Sequence, residues 1–343
     1  MITAMKVRGK ETLSIIGAGA WGTAMAISLS ENFEEVTLWS YCRETLSGII
    51  EERENLIFLP GYQLPSNIHP TGNLQEAVLG GNILVFAVPS QHTREVAREA
   101  ACHVRKGTYL VSLSKGIETK SLKRVSEVLY QEMGEKVGSP ITVLSGPTFA
   151  KEVAARKPAA ATIACSDLSV SQFLQRKLST PRLRLYADTD VTGVEVGGAV
   201  KNVIAIATGI ADGIGFGYNA RAAIITRGLT EITRMGIALG AEKETFQGLA
   251  GIGDLILTCT GDLSRNRTFG FRLGQGERAE DILEGSKMVV EGVKTSQAVH
   301  ELRKVVGVEM PIAEQVHQIL YKGKRPDEAV EELLSRSLKI EKE

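Results

Sequence analysis

Leu13-Ser-Ile-Ile-Gly-Ala-Gly-Ala-Trp-Gly-Thr-Ala-Met-Ala26 decides the fold. Four residues of strand character run into Gly17-x-Gly19-x-x-Gly22, and a helix-forming run follows at once. Each glycine has its own physical reason. Gly17 permits the tight turn from strand to helix, and Gly19 lets backbone come close to a pyrophosphate. Gly22, with Ala26 four residues on, lets the helix lie against a sheet. The helix N-terminus then offers unpaired N–H groups and the positive end of its dipole to the phosphates. A strand before the glycines and a helix after them predict a dinucleotide site, with Gly17, Gly19, Ala20, Trp21 and Gly22 against the cofactor.

Working outward, Val36 to Trp39 reads as the second strand, after a helix of about ten residues from Trp21. An NAD-specific site places a carboxylate near here to hold the ribose hydroxyls. This chain has Trp39-Ser-Tyr-Cys-Arg43 and no carboxylate before Glu44. Ser40 and Arg43 are therefore expected around a 2′-phosphate, with Tyr41 also at the cofactor, which favours NADP(H), with NAD(H) as the second choice. Asn82 to Val88 is a nearly continuous apolar run, as in a strand buried on both faces. Further strands are read at Thr108 to Leu113, Ile141 to Leu144, Ala160 to Cys165 and Arg182 to Tyr186. They deliver Pro89-Ser90, Ser114-Lys115-Gly116 and Ser145-Gly146-Pro147-Thr148-Phe149-Ala150 to one sheet edge, where such folds bind their ligands.

From Val191 the strand signals stop. Asn219 to Leu239 carries Ile225, Leu229, Ile232 and Met235 on one face, with Asn219 as an expected cap and Gly240 at the end. Met310 to Tyr321 and Pro326 to Leu338 also read as helices. The glycines crowded between Gly193 and Gly217 predict close helix packing or a ligand against backbone. The expected architecture is α/β: an N-terminal Rossmann-type doubly wound sheet over residues 1–190, then an all-helical domain over 191–343. Two clusters in the second half carry chemistry. In Glu195-Val-Gly-Gly-Ala-Val-Lys201-Asn202 a helix is expected to start, sending Lys201 into a cleft. Gly251-Ile-Gly-Asp254 is followed by Ser264-Arg265-Asn266-Arg267, whose guanidinium and polar groups suit phosphate oxygens.

The chain has 343 residues, more than one core usually organises. Lys and Arg number 40, as do Asp and Glu, and this zero formal charge argues against nucleic acid or an anionic membrane as partner. Val203 to Ala211, the most apolar stretch, is short for a membrane span. The first ten residues read as a frayed leader to the first strand. Cys42, Cys102, Cys165 and Cys259 form no C-x-x-C pair, and they read as free thiols and small buried residues in a reducing compartment. The five histidines stand singly, without a metal-ligand spacing, so no metal is expected.

Taken together, these segments resemble the NAD(P)-dependent glycerol-3-phosphate dehydrogenases of the bacterial type. The likeness rests on the glycine turn, Val88-Pro-Ser90, Ser114-Lys-Gly116, Ser145 to Ala150 and Gly198-Ala-Val-Lys-Asn-Val203. It continues through Gly251-Ile-Gly-Asp254, Ser264-Arg-Asn-Arg267 and Val289-Val-Glu-Gly292, and so spans almost the whole chain. The resemblance implies reduction of dihydroxyacetone phosphate to sn-glycerol 3-phosphate, a cytoplasmic homodimer and supply of glycerol phosphate to phospholipid synthesis. It places the catalytic lysine on Lys201. It sets Lys115, Gly146 and Thr148 at the substrate, and Ala150, Val289 and Glu291, with Lys115 and Arg265, at the cofactor. On that basis Asp254 orients Lys201, while Ser264, Arg265 and Asn266 hold the phosphate. Relatives often carry serine at Ala20 and a basic residue near Tyr41 and Cys42. A ketopantoate reductase and a catalytically silent NAD(P) sensor are the alternatives.

Overall fold

A computed structural model describes residues 12–285, 288–338 and 340–341. The expected leader at residues 1–10 lies outside them. Ten strands occur among the described residues: β1 (Thr12–Ile16), β2 (Glu35–Trp39), β3 (Glu54–Asn55), β4 (Leu59–Gln63), β5 (Ile68–Thr71), β6 (Ile83–Phe86), β7 (Tyr109–Ser112), β8 (Thr142–Ser145), β9 (Ala159–Ala164) and β10 (Leu183–Asp188). Eight of them form one sheet in the order β10-β9-β8-β7-β6-β1-β2-β5, and β3 and β4 pair separately. The chain steps outward from β1 through β2 to β5, then returns to β6 on the other side of β1. That reversal opens a crevice beyond the carboxyl ends of β1 and β6, the place where an open α/β sheet takes its ligand.

Apolar sequence explains the centre of the sheet. All four residues of β6 are buried, and β1 is buried from Leu13 to Ile16. Eight of the ten residues in the helix Ala20–Leu29 are buried as well, as expected of a helix apolar all round. β5 carries little strand signal in the sequence, because Ile68-His-Pro-Thr contains a proline and buries only Ile68. Proline is tolerated there because β5 is an edge strand. The sheet is parallel except between β8 and β9, which run antiparallel.

The second half is built around one helix, Val191–Ile214, capped by Asp190, whose carboxylate accepts the Gly193 N–H at 2.8 Å. It is the single helix among the described residues long and apolar enough to cross a membrane, and its apolar window is wholly buried inside the protein. The helix Arg265–Gly274 lies against it almost backbone to backbone. A Cβ added at Gly209 would sit 2.1 Å from the Arg267 carbonyl oxygen, and one at Gly270 would sit 2.1 Å from that of Ile206. The glycine-rich reading of this region therefore resolves as helix packing. The helix Gly217–Ala238 starts before the expected cap, because Phe216 is its N-cap and Asn219 lies inside its first turn. The last helix, Pro326–Leu334, ends four residues earlier than read.

Candidate active site

At the crevice, the glycine turn has the geometry a pyrophosphate needs. Gly17 has φ +119°, and a Cβ there would meet the Ala87 carbonyl oxygen at 2.8 Å. A Cβ at Gly22 would lie 1.9 Å from the Gly17 oxygen, so the turn closes only around glycine. Gly19 differs. A Cβ there meets nothing within 4 Å, so the protein's own packing does not require glycine at that point. Gly19 is the N-cap of Ala20–Leu29 and makes no side-chain capping bond, so no capping side chain takes up the first-turn N–H groups. These features fit a dinucleotide.

Around the end of β2, Ser40 is buried and its hydroxyl donates to the Cys42 carbonyl at 3.1 Å. Tyr41 is 87% exposed, and Arg43 is exposed at the first residue of the helix Arg43–Glu52. These three follow directly on the end of β2. Of the thiols, Cys165 and Cys259 are buried as expected, but Cys42 and Cys102 are exposed.

The sharpest constellation lies where the sheet edge meets the long helix. Asp254, the first residue of the helix Asp254–Thr260, is 1% exposed and stands between two lysines. Lys201 Nζ is 2.8 Å from its Oδ1, and Lys115 Nζ donates to its Oδ2 at 2.7 Å. Lys201 Nζ also donates to Thr258 Oγ1 at 2.6 Å, while Thr258 donates to the Asp254 carbonyl at 2.6 Å. An ammonium has three N–H groups. Two are occupied here, which leaves one for a substrate oxygen. Lys115 Nζ donates again to the Gly146 carbonyl at 3.0 Å, and Thr148 Oγ1 donates to that same oxygen at 3.1 Å.

The packing that makes this possible is local and legible. Gly197 and Gly198 lie one turn before Lys201, and Cβ atoms there would meet the Ala250 oxygen at 2.5 Å and Ser145 Oγ at 2.4 Å. The bare backbone lets the helix rest on the end of β8 and on the turn that carries Asp254. Lys201 is not near a helix start, as read from sequence; it lies ten residues inside Val191–Ile214. The helix dipole therefore contributes little to its acidity, since that effect fades within the first turn. Glu195 fixes the same helix from its other side, accepting Ser126 N–H at 2.8 Å and Arg124 Nη1 at 2.9 Å.

Charge and burial then set the titration. Burial pushes Lys201 down to about 8, Asp254 pulls it up, and Lys115 adds to the fall. Burial opposes ionisation of Asp254 too, but the ammoniums of Lys115 and Lys201 win and hold its carboxyl below the usual range.

A chain of amides joins this cluster to the arginine segment. Asn202 Nδ2 donates to the Lys115 carbonyl at 3.3 Å, and Asn266 Nδ2 donates to Asn202 Oδ1 at 3.0 Å. Asn266 Oδ1 in turn accepts Gly292 N–H at 3.0 Å. Ser264 caps the helix Arg265–Gly274, its Oγ accepting Arg267 N–H at 3.2 Å, and Arg265 Nη1 donates to the Val289 carbonyl at 2.9 Å. Arg267 is turned elsewhere, paired with Asp212 at 2.9 Å and Asp262 at 3.1 Å. Glu291 begins the helix Glu291–Val306, and its carboxylate accepts Ser90 Oγ–H at 2.7 Å and Ser90 N–H at 3.2 Å. Ala150 opens the short helix Ala150–Ala154 just beyond the β8 turn. Sequence alone assigns no role to Thr258 or Asn202. The available signals were the i, i+4 spacing of Thr258 from Asp254 and the adjacency of Asn202 to Lys201.

Comparison with known proteins decides the family. Residues 12–171 match the model for the N-terminus of NAD-dependent glycerol-3-phosphate dehydrogenase, and residues 190–331 match that for its C-terminus. The chain belongs to the NAD-dependent glycerol-3-phosphate dehydrogenase family. A glycerol-3-phosphate dehydrogenase [NAD(P)+] from Syntrophotalea carbinolica is 48% identical over 96% of this chain and 99% of its own. The crystal structure of glycerol-3-phosphate dehydrogenase from Coxiella burnetii aligns with a TM-score of 0.91 at 39% identity, covering 95% of this chain and 99% of that one. A ketopantoate reductase from Ralstonia eutropha aligns over 93% of this chain with a TM-score of 0.59 at 15% identity, which is a likeness of fold alone. As a glycerol-3-phosphate dehydrogenase the chain is an NAD(P)-dependent oxidoreductase, and the sheet-plus-helices architecture read from the sequence is the one observed.

Proposed function

We propose that this dehydrogenase reduces dihydroxyacetone phosphate to sn-glycerol 3-phosphate with Lys201 as the proton donor. The observation that carries the reading is the Lys115–Asp254–Lys201 cluster at the sheet edge, buried and one positive charge in excess. A bound nicotinamide cofactor supplies the hydride. Lys201, as an ammonium, presents its remaining N–H to the substrate carbonyl oxygen and gives up the proton as negative charge develops there. In the reverse direction its free amine accepts the alcohol proton. Asp254 fixes the lysine's position and keeps its acidity within the working range; Lys115 adds positive charge on the other side of the same carboxylate.

The phosphate sits at the N-terminus of Arg265–Gly274, held by Arg265, Ser264 and Asn266. One arm of Arg265 is held on the Val289 carbonyl, which leaves the others for phosphate oxygens. Arg265→Ala is expected to raise the Michaelis constant for dihydroxyacetone phosphate by at least tenfold, about 1.4 kcal/mol, with a smaller change in turnover. An unchanged Michaelis constant in steady-state assays contradicts that role.

Residues 1–190 serve as the cofactor domain and 191–343 as the substrate domain, a division supported by the bounds of the two family matches. Ser40 and Arg43, with no carboxylate nearby before Glu44, support a preference for NADP(H) over NAD(H). A cytoplasmic homodimer that supplies phospholipid synthesis rests on the resemblance in motifs. Absorbance at the reduced-nicotinamide band, with NADPH and NADH run in parallel against dihydroxyacetone phosphate and ketopantoate, tests the reading. Oxidation with the phosphate substrate, faster for NADPH, is expected. Turnover of ketopantoate alone, or cofactor binding without turnover of either substrate, overturns it.

A further inference from the structure

We propose that His300, Glu314 and His317 form a binding site for one divalent transition-metal ion of borderline character, zinc or a close neighbour, in the helical half of the chain. In sequence the histidines are single and suggest no ligand set; the fold changes that. His300 lies on the helix Glu291–Val306, and Glu314 and His317 lie on Pro311–Lys322, three residues apart and so on one face. One ligand atom from each residue falls within 4.8 Å of the others. Tetrahedral zinc, with bonds of about 2.0–2.1 Å, needs donors roughly 3.4 Å apart, so binding requires the side chains to turn inward.

The imidazoles stack face to face, with centroids 3.7 Å apart and 3° between planes, so one ring must turn before both lone pairs meet an ion. A further observation points to a ligand. His317 is 5% exposed, yet its Nδ1 has no hydrogen-bond partner. A buried ring nitrogen left unpaired costs free energy that a bound ion recovers. His300 Nδ1 meets Glu314 Oε2 at 2.6 Å, and these two side chains are 12% and 20% exposed, which gives an ion a path from solvent and a place for a bound water. Three cations oppose the ion: Arg303 is 2.6 Å from Glu314 Oε2, Lys304 is 3.2 Å from Glu301, which itself lies 3.6 Å from His300 Nε2, and the charge of Lys322 acts on His317. Binding weaker than at a dedicated structural zinc site follows.

The test takes the full chain, stripped with a chelator, and titrates zinc or cobalt(II) by calorimetry, following cobalt by visible absorption as well. The unaltered chain is expected to take up one more equivalent than His317→Ala or His300→Gln. A tetrahedral cobalt spectrum appears only in the unaltered chain, excess magnesium does not displace the ion, and zinc raises its thermal midpoint in a concentration-dependent way. The exposed Cys42 and Cys102 are common to all three proteins, so the difference in uptake isolates the histidines. Equal stoichiometry and spectra in all three proteins overturn the proposal, as does the absence of saturable uptake by the unaltered chain. If His317→Ala does not fold, His300→Gln, at the more open end of the site, carries the comparison.

Discussion

Lys201→Ala is expected to lower turnover on the order of 10³- to 10⁴-fold, about 4–5.5 kcal/mol of barrier, while NADPH binding stays near normal. The size follows from what the substitution removes. On the proposed mechanism Lys201 supplies the one N–H directed at the substrate oxygen, and water, excluded from a residue only 5% exposed, does not replace it. The fold has reason to survive, because Asp254 keeps Lys115 at 2.7 Å and so is not left as an unpaired buried charge. Cofactor titration by nicotinamide fluorescence checks the second half of the prediction, and steady-state kinetics the first. Turnover within tenfold of the unaltered chain removes Lys201 from the mechanism.

Asp254→Asn is the second large effect. The amide keeps the shape but removes the negative charge between two ammoniums, so burial and Lys115 act on Lys201 unopposed. The pKa of Lys201 then falls further below about 8, and the high-pH limb of ketone reduction moves down with it. Near pH 7.5 a loss of roughly 10²-fold in turnover is expected, from misplacement and premature loss of the proton together. A residue that merely supported the fold would lower the rate without moving the limb. The pH profile of the variant separates the two cases, and an unmoved limb rules out electrostatic control by Asp254.

Much of the fold was legible because its signals are local. The strand, glycine turn and buried helix from Leu13 to Leu29 are consecutive, and β6 announces itself as an unbroken apolar run. What escaped depends on contacts between distant residues. The reversed direction of β9 beside β8 has no local signature, and β5 is a strand only because β2 offers it an edge. The long helix starts at Val191 rather than near Glu195 because Asp190 caps it, a single carboxylate outweighed in the sequence by the glycines that follow. Asn219 is a residue type that favours caps, yet the helix continues through it from Gly217.

The site divides in the same way. Lys115, Lys201 and Asp254 are spread over 139 positions, and only the fold shows that one carboxylate holds both ammoniums. Arg265 and Arg267 look equivalent in sequence, but Asp212, on the long helix, pairs with Arg267 and not with Arg265. The stacked pair His300 and His317 was invisible for the same reason, being brought together by the packing of two helices.

On the proposed mechanism one group, Lys201, passes the proton in both directions with a pKa of about 8. The most direct measurement is kcat/KM against pH from about 7 to 9.5, for ketone reduction and for alcohol oxidation, since kcat/KM reports the free enzyme. The sign follows from the required form. Reduction needs the ammonium, so its rate falls as pH rises through about 8; oxidation needs the amine, so its rate rises through the same value. Mirror-image limbs with one shared pKa, both absent from Lys201→Ala, are the predicted result. Profiles that are flat over this range, or that bend the same way in both directions, contradict the account.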